Sequence, residues 1–329
     1  ADASAAAGEW SAVSTRTDVV RAYYGAILAE AKTGVLTQAQ QAAEAGVRQV
    51  RAMVDQGLVT KADALQANVR ASDVAAQLLS ARSDAVSARQ QLALLIGRTG
   101  AELPVLPGDL PADAAVIALA AHDSATAATA DAAEPRDDVR DDVRAAQAGV
   151  LAASADRRRA ASTLLPRVNG FARYDWNDPR TLYAGQKNWT MGVMASWSLF
   201  GGNAELADVA VTSARANAAR AGLDAARAQS QLERDDAARR LTVSMQRLTL
   251  ARDAAEQSRE AHRLVQKRYD GGLATIAELL ATEASSTGAA LAHAAARYAV
   301  IDAIATWRRA SGSDPAALTA LDHSTTTAR

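Results

Sequence analysis

Histidines, hydroxyls and carboxylates are the groups through which this chain could do chemistry, and their spacing assembles no site. His122, His262, His293 and His323 are dispersed, with no HExxH or similar pattern that would set two imidazoles and a base on one helix face around zinc. Surface histidines are the simpler account. The chain has no cysteine, which excludes disulfides, thiolate metal sites, cysteine nucleophiles and a lipid-modified N-terminal cysteine in this sequence. Ser196 lies in no nucleophile elbow. Gly201 and Gly202 open a helical stretch without a GxGxxG or Walker pattern, and a strand-to-helix hinge explains them. No catalytic residue, cofactor or metal ligand is assigned, and the chain is expected not to be an enzyme.

Composition points to structure built from helices. Of 329 residues, 49% are apolar but only 4% aromatic, so area must be buried by bringing alanine-rich helices close together. With 36 basic and 37 acidic residues, the net charge of -1 gives no reason to expect nucleic acid as a partner. No run of 18 apolar residues exists to make a transmembrane helix, and residues 1–10 lack the basic start and apolar core of a signal peptide. Any export signal is expected to have been removed or to lie upstream.

Two matched turns organise the rest. Asp55, Gly57, Leu58, Thr60, Ala62 and Leu65 recur as Asp270, Gly272, Leu273, Thr275, Ala277 and Leu280, 215 positions later and without a gap, and Asp63 is answered by Glu278. Each copy reads as a helix closed by a left-handed glycine, followed by a threonine that caps the next helix three residues before an acid. An ordinary helical corner would account for one copy. Two in register indicate an internal repeat whose hairpin tips point the same way.

In chain order, residues 12–56 read as one helix, with Val19, Tyr23, Ile27, Val47, Val50 and Val54 at helical spacing, and its partner runs from 61 to 96. In that partner Leu65, Val69, Ser72, Ala76, Leu79, Ser83 and Val86 form a seam of alternating three- and four-residue steps, as in a close-packed coiled coil. Residues 98–136, with Pro104, Pro107, Pro111 and Pro135, read as a connector holding one short helix. Helix resumes at about Asp137 and ends before Pro166. Its Arg157, Arg158 and Arg159 suit either anionic headgroups or, more simply, a solvated face. Residues 204–269 contain no proline and would span roughly 100 Å as one helix. Residues 276–310 repeat the earlier seam in register, through Leu280, Ala284, Thr287, Leu291, Ala294, Tyr298 and Ile301. Residues 313–329 are expected to be a flexible tail.

Between these helices the period changes from helical to two. Val168, Gly170, Ala172, Tyr174 and Trp176 share one face, opposite Arg167, Asn169, Arg173 and Asp175, with Phe171 as the exception. Trp189, Met191, Val193, Ala195, Trp197 and Leu199 share a face opposite Thr190, Gly192, Ser196 and Ser198. Two strands joined by a polar loop at 177–188 follow. Each is about ten residues, the length that crosses a bilayer at a tilt, and the apolar face carries aromatics at its ends as a membrane barrel does. A soluble hairpin packed on the protein is the alternative, but nothing else reads as a sheet to cover it.

Applied to 167–200, the 215-residue offset places a first strand pair ahead of residue 1, so the chain is expected to be a fragment or truncated form lacking that pair and part of the first half. The division expected is 1–97 for a first helical hairpin, 98–136 for the connector, 137–312 for a second half containing the strands at 167–200 and a helical hairpin at 203–310, and 313–329 for the tail.

Together, the turns at Gly57-Leu58-Val59-Thr60 and Gly272-Leu273-Ala274-Thr275, the strand entry Leu165-Pro166-Arg167-Val168 and the strand exit Trp197-Ser198-Leu199-Phe200-Gly201-Gly202 resemble the TolC-like outer-membrane factors, over about residues 11–312. That family supplies the exit ducts of bacterial efflux pumps and type I secretion systems. The resemblance implies a mainly α fold of long antiparallel coiled helical hairpins, the protomer of an α-barrel, with a transmembrane β-hairpin contributing to a trimeric β-barrel. It further implies a homotrimer in outer-membrane lipid with most of the chain in the periplasm, served by a periplasmic adaptor protein and an inner-membrane transporter. Gly57, Leu58, Thr60, Gly272, Leu273 and Thr275 would contact the adaptor. Asp63, Tyr269 and Glu278 are the candidates for closing the tip. Val168, Tyr174, Trp176, Trp189, Met191, Val193, Ala195, Trp197 and Leu199 would face lipid. The family pattern has an arginine two positions after the second tip glycine where this chain has Ala274, leaving Lys61 or Arg268 as basic substitutes. It also often has Arg-Pro-Asp-Val where Arg140-Asp141-Asp142-Val143 stands here.

Two rival functions are a periplasmic adaptor and a purely structural coiled coil. The first predicts several short strands near both ends of the chain, and the second predicts no aromatic-girdled strands.

Overall fold

The computed structural model describes residues 2–98, 106, 110–131, 140–177, 186–197 and 203–315, with side chains left undescribed at 2–3, 126–131, 175–177 and 186–188. Among the described residues six helices and two strands follow in order: α1 (Asp2–Asp55), α2 (Lys61–Leu95), α3 (Asp113–Asp131), α4 (Asp141–Ser162), β1 (Arg167–Asn177), β2 (Gln186–Ser196), α5 (Ala204–Asp270) and α6 (Ile276–Ser311). No helix is long and apolar enough to cross a membrane among the described residues. Two compact units divide the chain, one formed by Ala1–Ala7 with Asp141–Gln229 and the other by Gly8–Arg140 with Ser230–Arg329.

Element limits depart from the sequence reading where local chemistry outweighs periodicity. α1 starts at Asp2 rather than 12, because the alanines before Trp10 are strong helix formers that need no apolar stripe. α4 starts at Asp141 rather than 137, with Asp141 and Asp142 in its first turn where acids offset the helix dipole. The ladder pairs Arg167 with Ser196 at one end and Asn177 with Gln186 at the other. β2 therefore begins earlier than 189, and its paired residues stop short of Trp197. Among its described residues the connector holds one helix, α3. Residues 316–329, most of the expected tail, lie outside the described residues.

In the larger unit the core runs between helices of both repeat copies. Val20, Tyr24 and Ile27 of α1, Leu241 and Leu248 of α5, Val300, Ile301, Ile304 and Trp307 of α6, and Val116 and Ala120 of α3 form one buried cluster. Each large side chain here contributes about 1.5–3 kcal/mol by leaving water. Arg21 of α1 donates to Asp302 at 2.6 Å and to Thr306 at 2.7 Å on α6, fixing the register between the halves. Gly25 of α1 faces Tyr298 of α6, where an added Cβ would make ordinary van der Waals contact with the ring and hydroxyl at 3.8–3.9 Å.

The seam expected to bury α2 is bare. Leu65, Val69, Leu79 and Val86 are 67%, 69%, 67% and 55% exposed, while Ala67, Val74, Leu78, Ala81 and Ala85 are buried instead. The buried face carries alanines beside Val74 and Leu78, and Leu78 and Ala81 pack with Leu36 of α1.

Candidate functional site

The two tips are built alike, atom for atom along the backbone. Gly57 and Gly272 both sit at φ +73°. Gly57 N–H donates to Val54 O at 2.9 Å and Leu58 N–H to Met53 O at 2.9 Å, while Gly272 N–H donates to Tyr269 O at 2.9 Å and Leu273 N–H to Arg268 O at 2.7 Å. This paired closure satisfies the last carbonyls of each helix and needs a left-handed residue, which glycine supplies without strain. Gly97 and Gly312, at φ +70° and +77°, end α2 and α6 by the same bonds.

Caps start the outgoing helices. Thr60 accepts from Asp63 N–H, and the Asp63 carboxylate accepts from Thr60 N–H at 2.8 Å, completing a reciprocal box. Thr275 accepts from Glu278 N–H at 3.2 Å, but the Glu278 carboxylate does not return the bond and stands 3.9 Å from Arg268. Arg268 also donates to Leu273 O at 3.0 Å, bracing the second turn.

Beneath the turns Val47, Val50, Ala67, Tyr269, Ile276 and Leu279 form one buried cluster, with Met53, Ala274 and Leu280 against it. Both tips therefore lie side by side, as the repeat required. Tyr269 is only 5% exposed, and its hydroxyl donates to Met53 Sδ at 3.8 Å. Burial raises its pKa above the ordinary tyrosine value, and the charges of Asp63 and Asp270 push the same way, so it stays a neutral donor. Of the three gate candidates, Asp63 acts on Tyr269 across the repeat only through its charge, whereas Glu278 is exposed beside Arg268. Leu58 and Leu273, 65% and 73% exposed, project from the two turns. Met53 was not singled out from the sequence; its spacing from Val50 was the available signal.

The strand hairpin presents a second surface. Its register sets Val168 opposite Ala195, Gly170 opposite Val193, Ala172 opposite Met191 and Tyr174 opposite Trp189, so the two apolar sets share one face. That face is bare: Val168 is 68% exposed, Met191 and Val193 are each 76%, and Ala195 is exposed. The Tyr174 and Trp189 rings meet at its end with centroids 5.0 Å apart. At the base, Trp197 Nε1 donates to Leu164 O at 3.2 Å. The Trp176 side chain and Leu199 lie outside the described residues. Phe171, out of pattern in the sequence, lies across Gly192, where an added Cβ would meet its ring at 2.6 Å.

The histidines have individual surroundings. His262 faces Thr282 at 3.4 Å, His293 is 2.7 Å from Asp113 beside Arg297, and His122 is exposed; His323 lies outside the described residues.

Comparison with known proteins identifies the architecture. Solved structures similar to the chain include the outer membrane protein VceC from Vibrio cholerae (21% identity, 94% of this chain and 73% of that one, TM-score 0.75). The open-state MtrE outer membrane channel of Neisseria gonorrhoeae is similar at 20% identity (95% and 69%, TM-score 0.73), and the CmeC outer membrane channel of Campylobacter jejuni at 15% (98% and 68%, TM-score 0.75). At these identities the likeness establishes the fold. No curated protein sequence matches the chain. The model of a family described as outer membrane efflux protein matches residues 138–313, more than half of the chain. By that match, on the fold just described, the chain belongs to the outer membrane efflux protein family.

Proposed function

We propose that the chain is the protomer of a homotrimeric exit duct in the outer membrane, a passive conduit for a tripartite efflux pump or type I secretion system. Its helices would stand in the periplasm. The turns at Gly57 and Gly272 would meet a periplasmic adaptor that links the duct to an inner-membrane transporter, with exposed Leu58 and Leu273 as apolar contacts. Asp63 and Tyr269 would narrow the tip at rest, with Glu278 and Arg268 as a charged pair beside them.

The observation that carries this proposal is the bare apolar face of β1 and β2. Each strand is 11 residues long, enough to cross a bilayer at a tilt, and the aromatic pair Tyr174 and Trp189 stands where a headgroup girdle would lie. Exposing that face to water would be costly, and lipid removes the cost.

Planar-bilayer recording of the full-length protein, purified from outer membranes, tests the proposal. Discrete conductance is expected, and Asp63→Lys is expected to change the resting level; an identical level would take Asp63 out of the gate. Val193→Arg places a charge on the lipid face at a cost of about 2–4 kcal/mol near the midplane and is expected to abolish detergent-resistant oligomers. A water-soluble full-length protein without conductance would end the conduit proposal.

A further inference from the structure

The polar face of the strand hairpin is not wholly polar. Alternation places Arg167, Asn169, Phe171 and Arg173 of β1 on the side away from Val168, Ala172 and Tyr174, and the ladder brings Thr190, Gly192, Met194 and Ser196 of β2 to that same side. Two of them are large and apolar. Phe171 is 52% exposed and Met194 is 55% exposed. Phe171 stands opposite Gly192 and Met194 opposite Asn169, so the two lie on a ladder diagonal, a separation of about 7–8 Å that an aromatic ring and a long thioether can close. The ring reaches across to β2, coming within 2.6 Å of where a Cβ on Gly192 would lie. A residue without a side chain thus stands where the ring needs room, on the strand that carries Met194.

Charge frames this apolar pair. Arg173 is the next residue after Phe171 on the face, and Arg167, opposite Ser196, stands diagonal to Met194; both arginines are exposed. From 167 to 173 and from 190 to 196 neither strand carries an acid. Successive residues on one face of a strand are about 6.6 Å apart, so the Arg173 side chain is long enough to reach a group held against the ring. A guanidinium meets a carboxylate or sulfonate through paired N–H donors. A ring and a thioether gain nothing by facing water, and the other face of the same hairpin would have placed both in lipid on the reading given above. Kept on the wet side between two cations, they suit a solute that is apolar at one end and anionic at the other.

We propose that Phe171 and Met194, with Arg167 and Arg173, form a subsite for aromatic organic anions on the inner wall of the conduit. The ring and the polarisable sulfur take the aromatic part, and a guanidinium takes the anionic group. This assignment rests on the conduit proposal, under which the apolar face of the hairpin meets lipid and the opposite face lines a water-filled interior. It adds a chemical class of solute to that proposal.

Single-channel recording of the full-length protein in planar bilayers tests the subsite, with naphthalenesulfonate as the probe. The probe is expected to cause reversible, stepwise drops in current. Methanesulfonate, which has the anion without the ring, and naphthylmethylammonium, which has the ring with the opposite charge, should leave the current steady. Phe171→Ser and Met194→Ser should each weaken the block about three- to tenfold, the scale of one lost aromatic contact, and the open-channel conductance of each variant shows that it has assembled. Arg167→Gln combined with Arg173→Gln should abolish the preference for the sulfonate over the ammonium compound. A current untouched by naphthalenesulfonate, a block that survives undiminished in both serine variants, or an equal block of the unaltered protein by the ammonium compound would each overturn the subsite and leave the conduit proposal standing. A full-length protein without conductance would overturn both.

Discussion

Glu283 on α6 is a carboxylate in an unfavourable place. It is half-buried near Arg70 of α2 and His262 of α5, and its Oε1 has no hydrogen-bond partner. Burial raises its pKa above the usual glutamate value, and attraction to Arg70 and His262 recovers only part of the shift. A carboxyl raised on folding binds its proton more tightly in the native state, so its stabilising effect is complete below the ordinary glutamate range. That effect is lost as pH climbs through the raised value. Glu283→Gln keeps the shape and removes the charge. It should therefore stabilise the protein above that window and leave acid stability unchanged. Urea titrations of both proteins from about pH 4 to 8, spanning glutamate and histidine titration, measure it. Parallel stability profiles would assign the misfit to another group.

At the scale of elements, the hairpin turns on one close approach. Phe171 interrupts the polar face of β1, and Gly192 stands directly opposite it on β2, leaving room for the ring. Gly192→Ala would drive a methyl to 2.6 Å from the ring, closer than the two carbons can pack, so Phe171 must swing away or the strands must shift. Because the clashing atoms are the far end of a half-exposed ring, the cost should be about 0.5–1.5 kcal/mol, that of a displaced rotamer, read as a slightly lower yield of detergent-resistant oligomers at elevated temperature. Phe171→Ala should restore the Gly192→Ala variant; a double variant no better than the single would mean that backbone freedom at Gly192 matters instead. The alternation that showed the hairpin in the sequence also showed Phe171 as an exception, but not its partner, because pairing register depends on both strands and their loop. The turns were legible to the residue, since a left-handed glycine and a threonine cap act through the backbone within a few positions. The tip cap at Glu278 was legible only in part, because Arg268 competes for the carboxylate. Which face of α2 is buried was not legible at all: periodicity marks an apolar stripe, and only tertiary packing decides whether the chain covers it.

Considering the larger packed unit as a whole, the two repeat halves are joined by side contacts and by the connector, whose helix α3 is strapped along α6. At one end Asp113 accepts from Arg297 Nε and lies against His293, each at 2.7 Å; at the other, Asp123 accepts from Arg308 Nε at 2.8 Å. The second pair is the more deeply enclosed, with side chains 8% and 10% exposed against 15–19% for the first. Val116 and Ala120, fully buried between the straps, supply the apolar contact. A buried ion pair adds little over an apolar pair of the same shape, because both charges must leave water, but removing one partner strands the other. Asp123→Ala would leave the Arg308 guanidinium buried and unneutralised, with Nη1 already lacking a hydrogen bond. The expected loss is about 3–5 kcal/mol by denaturant titration. Asp123→Leu with Arg308→Met should return most of that stability, because neither charge then needs a partner. Asp113→Ala should cost less than Asp123→Ala, since its partners are nearer water. If Asp123→Ala and Asp113→Ala prove equally mild, the halves are held by the Tyr24, Ile27, Ile301 and Ile304 core and the Arg21 contacts alone, and α3 only spans the distance between them.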